Sequence, residues 1–67
     1  MASDLVTTMR VQRAKRDLTQ AELAALADVT RKSINAIEAG RMVPSVVLAL
    51  RLAKALQVTV EELFALA

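Results

Sequence analysis

Cysteine, histidine, tryptophan and tyrosine are absent from this chain, and glycine, proline and phenylalanine occur once each. Without cysteine there is no disulfide, and without cysteine and histidine together the usual structural zinc sites are excluded. The same absences remove the ordinary nucleophile–base pairs of enzymes, so neither catalysis nor a cofactor is expected. A long apolar run is missing too, although the chain is 55% hydrophobic with a mean hydropathy of +0.41. The longest uncharged stretch, Met42 to Leu50, contains Pro44 and stops at Arg51. It falls far short of the roughly 18 apolar residues of a membrane span. The opening Met-Ala-Ser-Asp carries neither the basic region nor the apolar run of a signal peptide, so a cytoplasmic location is expected. No pocket for a small ligand is evident in so short a chain.

A chain of 67 residues makes one domain, here 1–67. A domain of this size buries only about 60% of the surface of its unfolded chain and is marginal alone. Pairing with a second copy is the expected further source of stability. The net charge of +2 is unevenly spread. Residues 9 to 41 hold seven basic against four acidic side chains, whereas residues 42 to 67 are balanced at two of each. Such a division fits a phosphate-facing half and a partner-facing half.

With β-branched alternation missing, strands have little support and an all-α chain is expected. Helix starts recur. Thr19-Gln20-Ala21-Glu22 and Thr59-Val60-Glu61-Glu62 are capping boxes, and Thr30 and Ser45 serve as plain N-caps. Gly40 stands where a helix ending at Ala39 needs a left-handed residue. These signals predict five helices, near 4–16, 20–27, 31–39, 46–56 and 60–66, with Ser3 or Thr7 capping the first. Leu23, Leu26 and Ala27 form one apolar face and Ile34 and Ile37 another. Leu48, Leu52, Ala53 and Leu56 line the fourth helix, and Leu63 and Phe64 close the core.

Function concentrates in residues 20 to 39. Two helices joined only by Asp28-Val29-Thr30 must cross steeply, which needs a small residue at the contact (Ala24) and an apolar plug in the turn (Val29). The outer face of the second helix then carries Arg31, Lys32, Asn35 and Ala36. These side chains suit the major groove: Arg and Lys for guanine acceptors, Asn bidentate to adenine, a methyl against thymine. Cations in a first turn oppose the helix dipole, and an anionic ligand makes sense of them.

The residues Thr19-Gln20-Ala21-Glu22-Leu23-Ala24, the run Val29 to Arg41, Pro44-Ser45 and Glu61-Glu62-Leu63-Phe64 together resemble the phage-repressor/Cro (XRE-like) family, over about residues 9 to 66. The resemblance implies a compact five-helix, lambda-repressor-like domain with its helix-turn-helix at helices 2 and 3. It further implies double-stranded DNA as partner and places Gln20 against a phosphate, bracing a recognition-helix side chain. Arg31, Lys32 and Asn35 become base readers, Ala36 a methyl contact, and Thr30, Ser33 and Arg41 part of the DNA-facing set. It also pairs Arg13 with Glu38 as a structural tie. Asp28 stands where the family usually has glycine, and Gln12 where it often has leucine. A homodimer through Val47, Val60, Phe64 and Leu66, repressing from a near-palindromic operator, completes the expectation. The rival is a protein-binding module of the same fold, such as an antitoxin.

Overall fold

The computed structural model describes residues 4–67. Its elements run β1 (Leu5–Thr7), α1 (Met9–Lys15), α2 (Gln20–Ala27), α3 (Arg31–Glu38), α4 (Val46–Leu56), α5 (Val60–Leu63) and β2 (Phe64–Leu66). The five helices stand in the expected order. Among the described residues no helix is long and apolar enough to cross a membrane.

The termini depart from expectation. Residues 5 to 7, predicted as helix, form a strand that pairs antiparallel with β2, with Leu5 opposite Leu66 and Thr7 opposite Phe64. Correspondingly α1 starts at Met9, and α5 stops at Leu63 because Phe64 is extended (φ −131°, ψ 142°). The expected cap Ser3 lies outside the described residues, and the N-cap is Thr8 rather than Thr7. The physical reason is a non-local exchange of hydrogen bonds. Carbonyls at the end of α5 need partners, and the two threonines supply them. Thr7 Oγ1 donates to the Leu63 carbonyl at 2.9 Å, Thr8 Oγ1 to that of Glu62 at 2.8 Å, and the Thr8 amide to Leu63 at 3.0 Å. A helical segment over residues 4–8 would forfeit all three.

Three of the four tight connections share one construction. Asp17, Asp28 and Gln57 each take a left-handed conformation (φ 54°, 58° and 58°) and close the preceding helix. Each is followed by an apolar residue, Leu18, Val29 or Val58, and then by a threonine that starts the next helix. In every case the apolar residue's amide donates back five positions, to Arg13, Ala24 or Ala53, the hydrogen bond of a Schellman turn. All three apolar side chains pack against the core. The α3 end uses the same turn around Gly40 (φ 77°), with the Arg41 amide on the Ala36 carbonyl at 2.8 Å.

The core joins all five helices: Met9, Leu23, Ala24, Ala27, Ile34, Ile37, Leu48, Leu52, Ala53, Leu56, Leu63 and Phe64 are buried. Leu26, expected on the inner face of α2, is 60% exposed instead. Ala24 and Ala27 bring α2 close to its neighbours on the buried side and leave that position pointing outward. Gln12, in the place of a frequent leucine, is half-buried and donates to Thr8 Oγ1 at 3.4 Å.

The left-handed closing residues give a paired stability prediction. Gln57 occupies a conformation that costs a side chain about 1 kcal/mol, so Gln57→Gly should raise stability by roughly 0.5–1 kcal/mol. Gly40→Ala should lose about 1 kcal/mol from backbone strain, since a Cβ there meets nothing within 4 Å. Thermal unfolding of the two variants against the parent checks both signs.

Candidate nucleic-acid interface

The site is assembled by two helix starts. Thr19 caps α2 through a complete capping box, its hydroxyl accepting from the Glu22 amide (3.0 Å) while Glu22 Oε1 accepts from the Thr19 amide (2.8 Å). This fixes Gln20 as the first residue of α2. Thr30 caps α3 by accepting from the Ser33 amide at 3.2 Å, and the two hydroxyls lie 3.2 Å apart. Arg31 and Lys32 therefore sit in the first turn of α3, both exposed. Neither has an ion-pair partner among the described residues. Asn35 follows one turn later on the same side of α3, exposed, while Ile34 and Ile37 point into the core.

Gln20, Arg31, Lys32 and Asn35 line a single recess of about 190 Å³. Thr30 and Arg41 are exposed beside the same helix, and Ser33 and Ala36 are half-buried. A wider hollow of about 570 Å³, lined by Leu26, Arg51 and Lys54 among others, shares no lining residue with the recess. Both are open to solvent rather than enclosed. Among the described residues there is no acidic, cysteine or histidine cluster suited to a metal.

Behind the recess lies a polar network anchored on Glu38, whose side chain is 1% exposed. Arg13 grips it with two nitrogens, Nε to Oε2 at 2.8 Å and Nη2 to Oε1 at 3.2 Å, and gives Nη1 to the Leu18 carbonyl at 2.9 Å. Arg10 Nε stands 3.7 Å from Oε1. Gln20 Nε2 donates to the same oxygen at 3.0 Å. Gln20 Oε1 in turn lies 3.5 Å from Asn35 Nδ2, and Arg41 Nη2 donates to Asn35 Oδ1 at 2.8 Å. The expected Arg13–Glu38 tie is thus present, and Gln20 does reach a recognition-helix side chain. The Arg41–Asn35 bond was not legible from spacing. It depends on the turn at Gly40, which folds the chain back over the last turn of α3.

Burial penalises the Glu38 carboxylate, but the hydrogen bonds from Arg13 and Gln20 and the charges of Arg13 and Arg10 outweigh it and hold its pKa below the ordinary carboxylate range. A group with a depressed folded-state pKa contributes stability that is complete above its unfolded value and lost as pH falls through its folded value. Acid titration of unfolding should therefore show stability declining below the ordinary carboxylate range, and Glu38→Gln should flatten part of that decline. Arg13→Met, which strands a buried charge, should cost about 3 kcal/mol. Exposed Arg41→Met should cost no more than about 0.5 kcal/mol.

The helix-turn-helix family profile matches residues 9–63. An uncharacterized HTH-type transcriptional regulator of Methanothermobacter thermautotrophicus is 46% identical over 61 residues, which span 90% of this chain and 88% of that protein. A second, from Methanocaldococcus jannaschii, is 41% identical over 56 residues, spanning 84% and 85%. Among solved structures, the restriction-modification controller protein C.AhdI of Aeromonas hydrophila superposes with a TM-score of 0.77 at 33% identity, over 81% of this chain and 82% of that one. The clp gene regulator ClgR of Corynebacterium glutamicum gives 0.77 at 30% identity, over 81% and 57%. The capped helix pair, its polar face and these relatives agree: the chain belongs to the XRE-like helix-turn-helix family of transcriptional regulators.

Proposed function

We propose that this protein binds double-stranded DNA sequence-specifically as a homodimer on a near-palindromic operator, and represses transcription from it. The observation that carries this reading is the recess at the start of α3, where Arg31 and Lys32, with no ion-pair partner among the described residues, meet Gln20 and Asn35. α3 enters the major groove by its N-terminal end. Arg31 and Lys32 address guanine, Asn35 adenine, and Ala36 a thymine methyl. Thr30, Ser33, Gln20 and Arg41 approach phosphates and set the register.

One such unit reads three or four base pairs, too few to define a site in a genome, so two copies act on half-sites about 34 Å apart. Of the apolar residues expected at their contact, Val47 and Leu66 are exposed at 58% and 81%. Val60 is half-buried, and Phe64 belongs to the core of its own chain. The contact therefore rests on Val47 and Leu66 rather than Phe64, with Val43, Val46 and Leu50 extending the apolar surface beside Val47. A dimer seated over a promoter would exclude polymerase.

Selection of random duplexes by the purified protein at two salt concentrations, followed by sequencing, tests the reading. A palindromic motif is expected, with Arg31→Ala and Asn35→Ala each altering separate columns of it. Salt-sensitive retention without a motif would reduce the activity to phosphate attraction, and no retention at all would favour a protein-binding module. Sedimentation at tens of micromolar should return a dimer that Val47→Asp dissociates; a monomeric wild type would count against the pairing.

A further inference from the structure

A carboxylate only accepts hydrogen bonds and a guanidinium only donates them, whereas a side-chain amide does both and has two senses that differ by a half-turn. Between one fixed end of each kind this protein places two amides in series. Glu38 Oε1 accepts from Gln20 Nε2 at 3.0 Å, which turns the Gln20 carbonyl outward. Gln20 Oε1 then faces Asn35 Nδ2 at 3.5 Å, the longest link. From the other side Arg41 Nη2 donates to Asn35 Oδ1 at 2.8 Å. Both ends dictate the same sense for Asn35. Turned over, its N–H would face the guanidinium and its carbonyl would face the Gln20 oxygen.

From this series we infer that Glu38 and Arg41 are positioning residues for base choice: they set the sense in which Asn35 shows its amide to DNA and commit it to adenine of one strand. The inference rests on the DNA-binding reading proposed above. An amide has two N–H bonds and two acceptor sites, and the series occupies one of each, so one of each remains for a base. Adenine offers N7 as acceptor and N6 as donor, and their order across the groove reverses when A·T becomes T·A. An amide of fixed sense matches one order and sets like against like in the other. Arg41 thus has a role that phosphate attraction does not require, and the buried carboxylate acts on a base it never touches.

Two variants, Gln20→Met at a half-buried position and Arg41→Met at an exposed one, break the series without removing the Arg13–Glu38 pair. Glu38→Gln, which makes the accepting end ambiguous, is a third, and the first two decide the matter if it fails to fold. In the DNA-free protein, the side-chain amide protons of Asn35 should exchange with water and rotate more slowly than those of an unrestrained asparagine, and both methionine variants should abolish the difference. In duplex selection, Asn35→Ala identifies the column that this residue reads. In that column alone, both variants should lower the preference for adenine over thymine by about fivefold or more, with the columns read by Arg31 and Lys32 unchanged.

An Asn35 column left intact in both methionine variants would overturn the proposal, and uniform weakening by Arg41→Met with a salt slope lower by about one would leave Arg41 as a phosphate contact. An Asn35 amide that averages freely in the wild type would overturn it whatever DNA is selected. A held amide with no selected motif would instead overturn the DNA-binding reading, and base choice with it.

Discussion

A single buried carboxylate organises the functional half of this molecule. Glu38 ends α3, yet its partners come from α1 (Arg13, with Arg10 farther off) and from the first residue of α2 (Gln20). An unpaired charge at such a site is strongly destabilising, so the three helices are held at a spacing that satisfies it. Hydrophobic packing alone fixes orientation less sharply, because apolar contacts have no preferred direction. Through the Glu38 carboxylate, the register of α3 against α1 and α2 becomes a matter of hydrogen-bond geometry.

That rigidity matters because α3 has little of its own. Eight residues are too few for an isolated helix in water, its first turn carries two cations against the dipole, and it offers only Ile34 and Ile37 to the core. Its order comes from its ends: the Thr30 hydroxyl at the start, the Gly40 turn at the finish and the Glu38 network behind. Local sequence preference is thus overridden at the site itself, where function commonly conflicts with stability.

The helices were legible wherever their signals were local. Thr19 with Glu22, Thr30, Ser45, Thr59 with Glu62 and Gly40 mark helix boundaries by chemistry that acts within four residues, and α2 to α4 stand within a residue of where those signals put them. The termini were not legible. Leu5-Val6-Thr7 becomes a strand only because residues some 56 positions later offer carbonyls and an edge. Nothing in the local pattern announces that pairing. At the site, residue identity revealed which side chains face outward, and the family resemblance supplied the Arg13–Glu38 tie. The Arg41–Asn35 contact stayed hidden because it needs the path of the chain after Gly40. Leu26 was misplaced for a related reason: periodicity on an eight-residue helix leaves its flank undetermined when alanines take the close contacts.

The pairing of β1 with β2 bears on how the chain opens. The Ala67 amide reaches the Asp4 carbonyl at 2.7 Å, so almost the entire polypeptide forms one closed loop. With Met9 and Leu63 both buried in one core, the folded helices already bring these segments together, so the clasp orders only a few residues, and strands of three residues return few hydrogen bonds for it. Short terminal pairing of this kind is where local opening is expected while the helices remain folded. Amide exchange would proceed from this seam inward.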